Sequence, residues 1–229
     1  MKKSKKGCNL SGCVFCENRL EGWQSVIESN RTTVTYKKGE VVFEEGMQVD
    51  RVYFINTGIV KIHKQWAQQK QLIVNFAGAG EMIGYRGLGK HPIFPVTATA
   101  LDEVEICFMD LNFFESTLQA NHKLTYVLMK FYVDSLQQAE KRMRNLALMD
   151  VKGRVAETLL MLADKFGQDE EGYIKAVITR QDMAAYAGTT YETFFRMVNE
   201  LKEDHLINQE GKRMAVLNPK GLEALLIQS

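Results

Sequence analysis

Between residues 111 and 152 no glycine interrupts the chain, and Leu128, Tyr132, Leu136, Ala139, Met143 and Leu146 recur at spacings of three and four. Lys130, Asp134, Gln137, Glu140, Lys141 and Arg144 fall between them. That period predicts one long amphipathic helix with a narrow apolar seam, suited to pairing with a copy of itself. The competing reading is a helix that lies on its own barrel. Upstream the period changes. Short β-like runs at 33–36, 41–43, 51–56, 59–63, 71–76, 96–100 and 104–109 are separated by turns such as Lys38-Gly39, Thr57-Gly58 and Gly78-Ala79-Gly80. Regular short strands with turn glycines predict an antiparallel barrel or jelly roll. A short helix over 21–30 precedes them, with Trp23, Val26 and Ile27 on its buried side.

Downstream, Val155, Leu159, Leu162 and Ala163 form the inward face of a helix over 151–166, ended at Gly167. A strand is predicted over 173–178. Residues 179–204 then read as two short helices broken by Ala187-Gly188-Thr189-Thr190. Gly188 ends the first, because glycine alone takes positive φ cheaply at that position. Thr189 or Thr190 caps the second, its hydroxyl oxygen accepting an N–H of the first turn. Phe194, Val198 and Leu201 face inward, and Tyr191, Glu192, Phe195, Arg196, Asn199 and Lys202 face out. Strands at 206–208 and 214–217 flank Glu210-Gly211-Lys212-Arg213 as a hairpin, or wing. The fold class is α+β, and four segments follow: an arm over 1–20, a β-roll over 21–120, a dimerisation helix over 121–150 and a winged helix-turn-helix over 151–229.

A tight helix-turn-helix whose second helix carries hydrogen-bonding side chains outward is what a DNA major groove admits. Charge alone does not point there. The net charge is +1, and residues 151–229 hold ten Lys/Arg against twelve Asp/Glu, whereas a basic domain is the usual footprint of such a partner. Phosphate contacts are therefore expected from a local patch of Arg180, Lys202, Lys212 and Arg213, with Gln181, Thr189 and Thr190 at the helix starts beside it. No apolar run reaches membrane-spanning length, and the basic start of the chain is followed by no signal-peptide core, so a cytoplasmic protein without a membrane partner is expected. In that compartment three cysteines within nine residues, Cys8, Cys13 and Cys16, with Cys107 alone, point to metal or redox chemistry before disulfides. An enzyme is not expected. A cupin-like metalloenzyme needs clustered histidines, and the barrel offers only His63 and His91. A zinc or redox module would leave the long helix and the wing unexplained.

KKGEVVFEEG at 37–46, YFINTGIVKI at 53–62 and TRQDMAAYAGTTYETFFR at 179–196, in this order around a long helix, resemble the Crp/Fnr family of transcription regulators. The wording of GLGKHPIFPVTATALDEVEICF at 87–108 is similar to a branch found in Bacteroidetes. The resemblance implies a homodimer that binds a palindromic double-stranded DNA site and contacts RNA polymerase, with a sensor in the β-roll. It places the base-contacting glutamate and arginine on Glu192 and Arg196. Arg can bond guanine O6 and N7 together, and Glu can accept from the cytosine amino group. Thr189-Thr190-Tyr191-Glu192 also spells a capping box, in which Glu192 would reach back to a backbone N–H. Tyr191 and Phe195 depart from the family's common residues. Phe195 would either contact a thymine methyl or pack under the wing.

The family's cyclic-nucleotide sensors need a glutamate and an arginine where Tyr85 and Phe94 stand, so a cyclic nucleotide is not expected. Its Fnr branch holds a [4Fe–4S] cluster on three N-terminal cysteines and one in the barrel. Cys8, Cys13, Cys16 and Cys107 match that inventory with C-x4-C-x2-C spacing, and Cys107 falls one strand residue from the matching position. Such an offset turns a side chain to the other face. A cluster, a zinc on four thiolates and no metal at all remain open on these residues.

Overall fold

A computed structural model of the protein describes residues 2–3, 12–66 and 70–226. The chain divides into two compact units, one of residues up to 135 and one from 136 on, with residues 70–73 counted to the second.

The first unit opens with strand β1 (Lys2–Lys3), helix α1 (Val14–Glu17) and helix α2 (Gln24–Asn30). Strands β2 (Arg31–Tyr36), β3 (Val41–Phe43), β4 (Arg51–Thr57), β5 (Val60–Trp66), β6 (Lys70–Ala77), β7 (Met82–Ile83), β8 (Thr97–Ala100) and β9 (Val104–Asp110) follow. A single 3-10 turn, Tyr85–Gly87, separates β7 from β8. The strands make two sheets, ordered β1-β2-β9-β4-β7 and β3-β8-β5-β6, with antiparallel neighbours wherever a register is defined. Alternation decides what each face does. Val34, Tyr53, Ile55, Val60, Val104 and Ile106 point between the sheets into one core. Val52, Phe54 and Met109, one position out of phase, point the other way and pack with Phe15, Ile27, Phe114, Leu124 and Leu128 in a second core.

Helix α3 (Leu111–Ala120) is separated from α4 (His122–Leu148) by Asn121. Asn121 is buried; its side chain accepts from Leu124 N–H at 3.1 Å and donates to Asn18 O at 2.7 Å. It therefore satisfies the start of the long helix and ties the arm to it. The second unit contains α5 (Val151–Phe166), α6 (Arg180–Ala187), α7 (Tyr191–Glu203), the hairpin β10 (Ile207–Glu210) with β11 (Arg213–Val216), and α8 (Pro219–Leu225). No helix among the described residues is long and apolar enough to cross a membrane.

Two expectations change, and one helix appears that no sequence pattern marked. Residues 173–178 do not form a strand: Tyr173 bridges Ala215 and Ile174 bridges Gln168, each as an isolated pair. Two different partners each take one residue, so no ladder can propagate. Helix α2 begins at Gln24, with Trp23 as its cap, and leaves Val26 39% exposed rather than buried. Helix α8 carries no long apolar period. It is set by its start, where Pro219 occupies the first turn and Asn218 accepts from Gly221 N–H at 2.9 Å.

Candidate nucleic-acid interface

Helix α6 begins at Thr179, which accepts from Asp182 N–H at 3.1 Å and donates to Asp182 Oδ2 at 2.6 Å. It ends at Gly188 with φ +65°, whose missing side chain leaves room for Leu146: a Cβ there would lie 2.5 Å from Leu146 Cδ2. Two guanidiniums hold the carbonyl end of α6. Arg142 donates to Tyr186 O at 2.6 Å and stacks 3.6 Å over the Tyr186 ring, and Arg154 donates to Ala187 O at 2.8 Å. Cations at a helix C-terminus satisfy its last carbonyls and its dipole. Neither arginine, nor the pocket for Leu146, has a periodic signature in the sequence.

Helix α7 is anchored through its buried face, Phe194, Met197, Val198 and Leu201. Its cap is Thr190, which accepts from Thr193 N–H at 3.2 Å, so Glu192 stands in the first turn and not at the position that closes a capping box. The capping role considered for Glu192 is therefore overturned, because the helix begins one residue later than that role requires. Glu192 and Arg196 are both exposed, four residues apart on one side, and neither has an ion-pair partner among the described residues. Tyr191 and Phe195, 44% and 40% exposed, lie nearly parallel with ring centroids 6.4 Å apart. Phe195 does not pack under the wing. Arg180 lies 5.7 Å over its ring and donates to Gly211 O at the wing tip at 2.7 Å, so one guanidinium joins the wing to the outward helix face.

Gln181, Thr190, Lys202 and Lys212 are exposed, and Thr189 and Asn199 are half-buried. Arg213 departs from the expected phosphate patch. It pairs with Asp169, approaches Glu171 at 3.6 Å, and its guanidinium lies 4.2 Å over the Tyr173 ring. Two carboxylates already neutralise it, which removes the reason for counting it as a phosphate contact.

The seam of α4 also differs from the expected one. Leu128 is 3% exposed, in the core with Phe15, Phe54 and Phe114, and is corrected to an intramolecular residue. Leu146 is half-buried beside Gly188. Tyr132, Leu136, Ala139 and Met143 are exposed, and Tyr126, Met129 and Val133 are exposed beside them. Met129, Val133, Leu136 and Met143 keep the alternating four- and three-residue steps of a pairing seam, with Glu140 at the intervening step. The sequence carried that signal. It was obscured because Leu128 starts an equally regular row one position away.

Inside the β-roll, Phe94 is fully buried and stacks on Phe43 at 4.1 Å, with Tyr53 beside both. A Cβ at Gly84 would already meet Phe94 at 3.0 Å. The cleft lined by Ile62, Asn75, Gly84, Tyr85, Arg86 and Val96 has room for about one water. His63 is buried and lies 2.9 Å from Thr99 Oγ1, so it is committed to the sheet.

Of the four cysteines, Cys8 lies outside the described residues. Cys13, Cys16 and Cys107 are all buried, and no group of three or more His, Cys, Asp or Glu among the described residues is arranged to hold a metal. Cys107 pairs in register with Phe54 and alternates with Ile106 and Phe108, which belong to the other core, so it faces the arm's side of the sheet. Cys13 is held at about 6 mainly by a hydrogen bond from the Cys16 side chain, which outweighs the rise that burial causes.

Residues 33–121 match the cyclic nucleotide-binding domain family, and residues 153–225 match the Crp-like helix-turn-helix domain. The cAMP-activated global transcriptional regulator CRP of Salmonella typhimurium is 30% identical over 188 residues, spanning 79% of this chain and 87% of that protein. The chain belongs to the Crp/Fnr family of transcriptional regulators. The anaerobic regulatory protein of Bacillus subtilis is 26% identical over 198 residues, 85% of this chain and 83% of its own. FixK2 from Bradyrhizobium japonicum shares the fold, with a TM-score of 0.78 at 22% identity over 87% of this chain and 98% of that one. Crp/Fnr proteins bind DNA, act as dimers and are not enzymes.

Proposed function

We propose that this Crp/Fnr protein is a homodimer that reads a palindromic operator through the outward face of α7. Residues 21–120 act as sensor, 121–150 as dimerisation helix and 151–229 as DNA-binding domain. The observation that carries this reading is the pair Glu192 and Arg196: both exposed, one helical turn apart, and neither used by a cap or an ion pair. Arg196 bonds a guanine through O6 and N7, and Glu192 accepts from a cytosine amino group. The parallel rings of Tyr191 and Phe195 offer an apolar ledge beside them for a thymine methyl. Arg180, Gln181, Thr189, Thr190, Asn199, Lys202 and Lys212 supply positioning contacts to phosphates and sugars.

The exposed row on α4 covers its partner copy, and the two α7 helices then enter the major groove one DNA turn apart, about 34–36 Å. RNA polymerase is the macromolecular partner on the promoter, and the cytoplasm is the compartment. The effector is not a cyclic nucleotide, because Phe94 occupies with a hydrocarbon ring the place where the cyclic phosphate would need a cation. Selection from random duplexes with the full-length protein tests this function. Paired, inverted half-sites with centres about ten base pairs apart are expected. Recovery of unpaired or sequence-independent duplexes under both reducing and oxidising conditions would overturn it.

A further inference from the structure

One guanidinium joins three elements that lie apart in the sequence. Arg180 is the first residue of α6, yet it donates to Gly211 O in the wing turn at 2.7 Å and lies 5.7 Å over the Phe195 ring of α7. That ring is itself backed by Tyr191, nearly parallel to it at 6.4 Å. A second side chain, Gln209, donates to the same carbonyl at 3.1 Å. The need to satisfy that carbonyl does not explain the arrangement. Gly211 is exposed, and water serves an exposed carbonyl without help from side chains. Arg180 also keeps its charge: among the described residues no carboxylate pairs with it, in contrast to Arg213. The wing turn is only two residues long, Gly211 and Lys212, between the paired Glu210 and Arg213. Gly211 C=O and Lys212 N–H belong to one planar peptide. Two donors on that oxygen therefore fix the plane from which the exposed Lys212 side chain departs.

We propose that Arg180 is a positioning residue for DNA binding, a role that rests on the reading of α7 and the wing as the DNA-contacting face. It locks the wing turn onto the aromatic side of α7, so that Lys212 is held against a backbone phosphate beside the bases that α7 reads. The task suits arginine and not lysine. A planar fork stacks on a ring and donates to a carbonyl at once, whereas an ammonium is a point charge on a flexible stem. Holding the turn in advance spares the cost of ordering it on the duplex. It also ties a phosphate contact, which sets register, to the base contacts of the neighbouring helix. Phe195 thereby serves as the platform for the lock, besides any contact it makes to a base.

Two measurements on the full-length protein test the lock. The first is amide hydrogen exchange without DNA. Arg180→Ala and Phe195→Leu are expected to exchange faster than the parent in residues 207–216, with parent rates in residues 151–166 verifying that each is folded. Phe195→Tyr, which keeps a ring, is expected to match the parent throughout. Arg180→Lys, the milder change, is expected to loosen the wing as well and decides the matter if either variant is unfolded. Parent rates in the wing of Arg180→Ala or Phe195→Leu would overturn the lock. The second measurement is affinity for an unrelated duplex, where base reading plays no part, across salt concentrations. Each phosphate contact contributes about 0.9 to the slope of log affinity against log salt, so Lys212→Ala should lower it by about 0.9 per subunit. Phe195→Leu should lower it by the same amount although it removes no charge. In the Arg180→Ala background, Lys212→Ala should lower it no further. A further fall of about 0.9 per subunit in that background, or a parent slope for Phe195→Leu, would overturn the proposal. A parent protein without affinity for any duplex would remove the DNA reading itself, and a loosened wing in Arg180→Ala would then identify the lock as structural only.

Discussion

The DNA-reading unit keeps its chemistry on the outside of a well-anchored helix, and the β-roll packs its interior with stacked aromatic rings. In α7, Phe194, Met197, Val198 and Leu201 are buried so that Tyr191, Glu192, Phe195 and Arg196 can stand out, and the charged pair has no ion-pair partner among the described residues. In the β-roll, Phe94 stacks on Phe43 and leaves room for about one water in the neighbouring cleft. The difference shows what each task demands. A duplex meets side chains on a rigid exposed face, whereas a small effector needs an enclosed space.

The comparison can be broken first at the helix between the two regions. Leu136 is 61% exposed in one chain, and symmetry uses it twice in a dimer. Leu136→Asp is expected to weaken dimerisation by about 3–6 kcal/mol, since each buried leucine contributes about 1.5–3 kcal/mol. Sedimentation should show monomers at concentrations where the parent is dimeric; an unchanged dimer would move the seam elsewhere. Two matched truncations come next. Phe194→Ala and Phe94→Ala each remove a fully buried ring and should each cost about 3–5 kcal/mol. Their local signatures should differ. Hydrogen exchange should accelerate in residues 151–226 for the first and in the roll for the second. Phe94→Ala should also leave an apolar cavity that takes up benzene. Absence of uptake in a folded variant would mean that the roll collapses around the gap. The smallest effect lies at the start of α7. Thr190→Ala should cost about 1 kcal/mol of stability through its lost cap, and Thr189→Ala much less; the reverse ranking would shift the helix start by one residue.

The strands of the roll were legible because alternation and turn glycines repeat. The helix-turn-helix was legible because Gly188 and the row Phe194, Val198, Leu201 obey local rules. What escaped depends on contacts distant in sequence. Leu128 reads as a seam residue until Phe15 and Phe114 cover it. Arg213 reads as a phosphate ligand until Asp169 and Glu171, more than forty residues earlier, neutralise it. Arg142 and Arg154 support the end of α6 through the carbonyls of Tyr186 and Ala187, contacts that no local pattern encodes. The thymine-methyl ledge shows the same limit, because two aromatics four residues apart predict a shared face but not parallel rings with a guanidinium above one of them.

Arg196→Ala measures the central claim most directly. Its affinity for the selected operator and for an unrelated duplex should be determined side by side at one salt concentration, with dimerisation verified. Loss of a bidentate guanine contact costs about 1–3 kcal/mol per half-site. The operator affinity should therefore fall at least tenfold, while binding to the unrelated duplex stays within about twofold. A folded dimer that still separates the operator from the unrelated duplex as well as the parent does would contradict the assignment of α7 as the reading helix through Arg196.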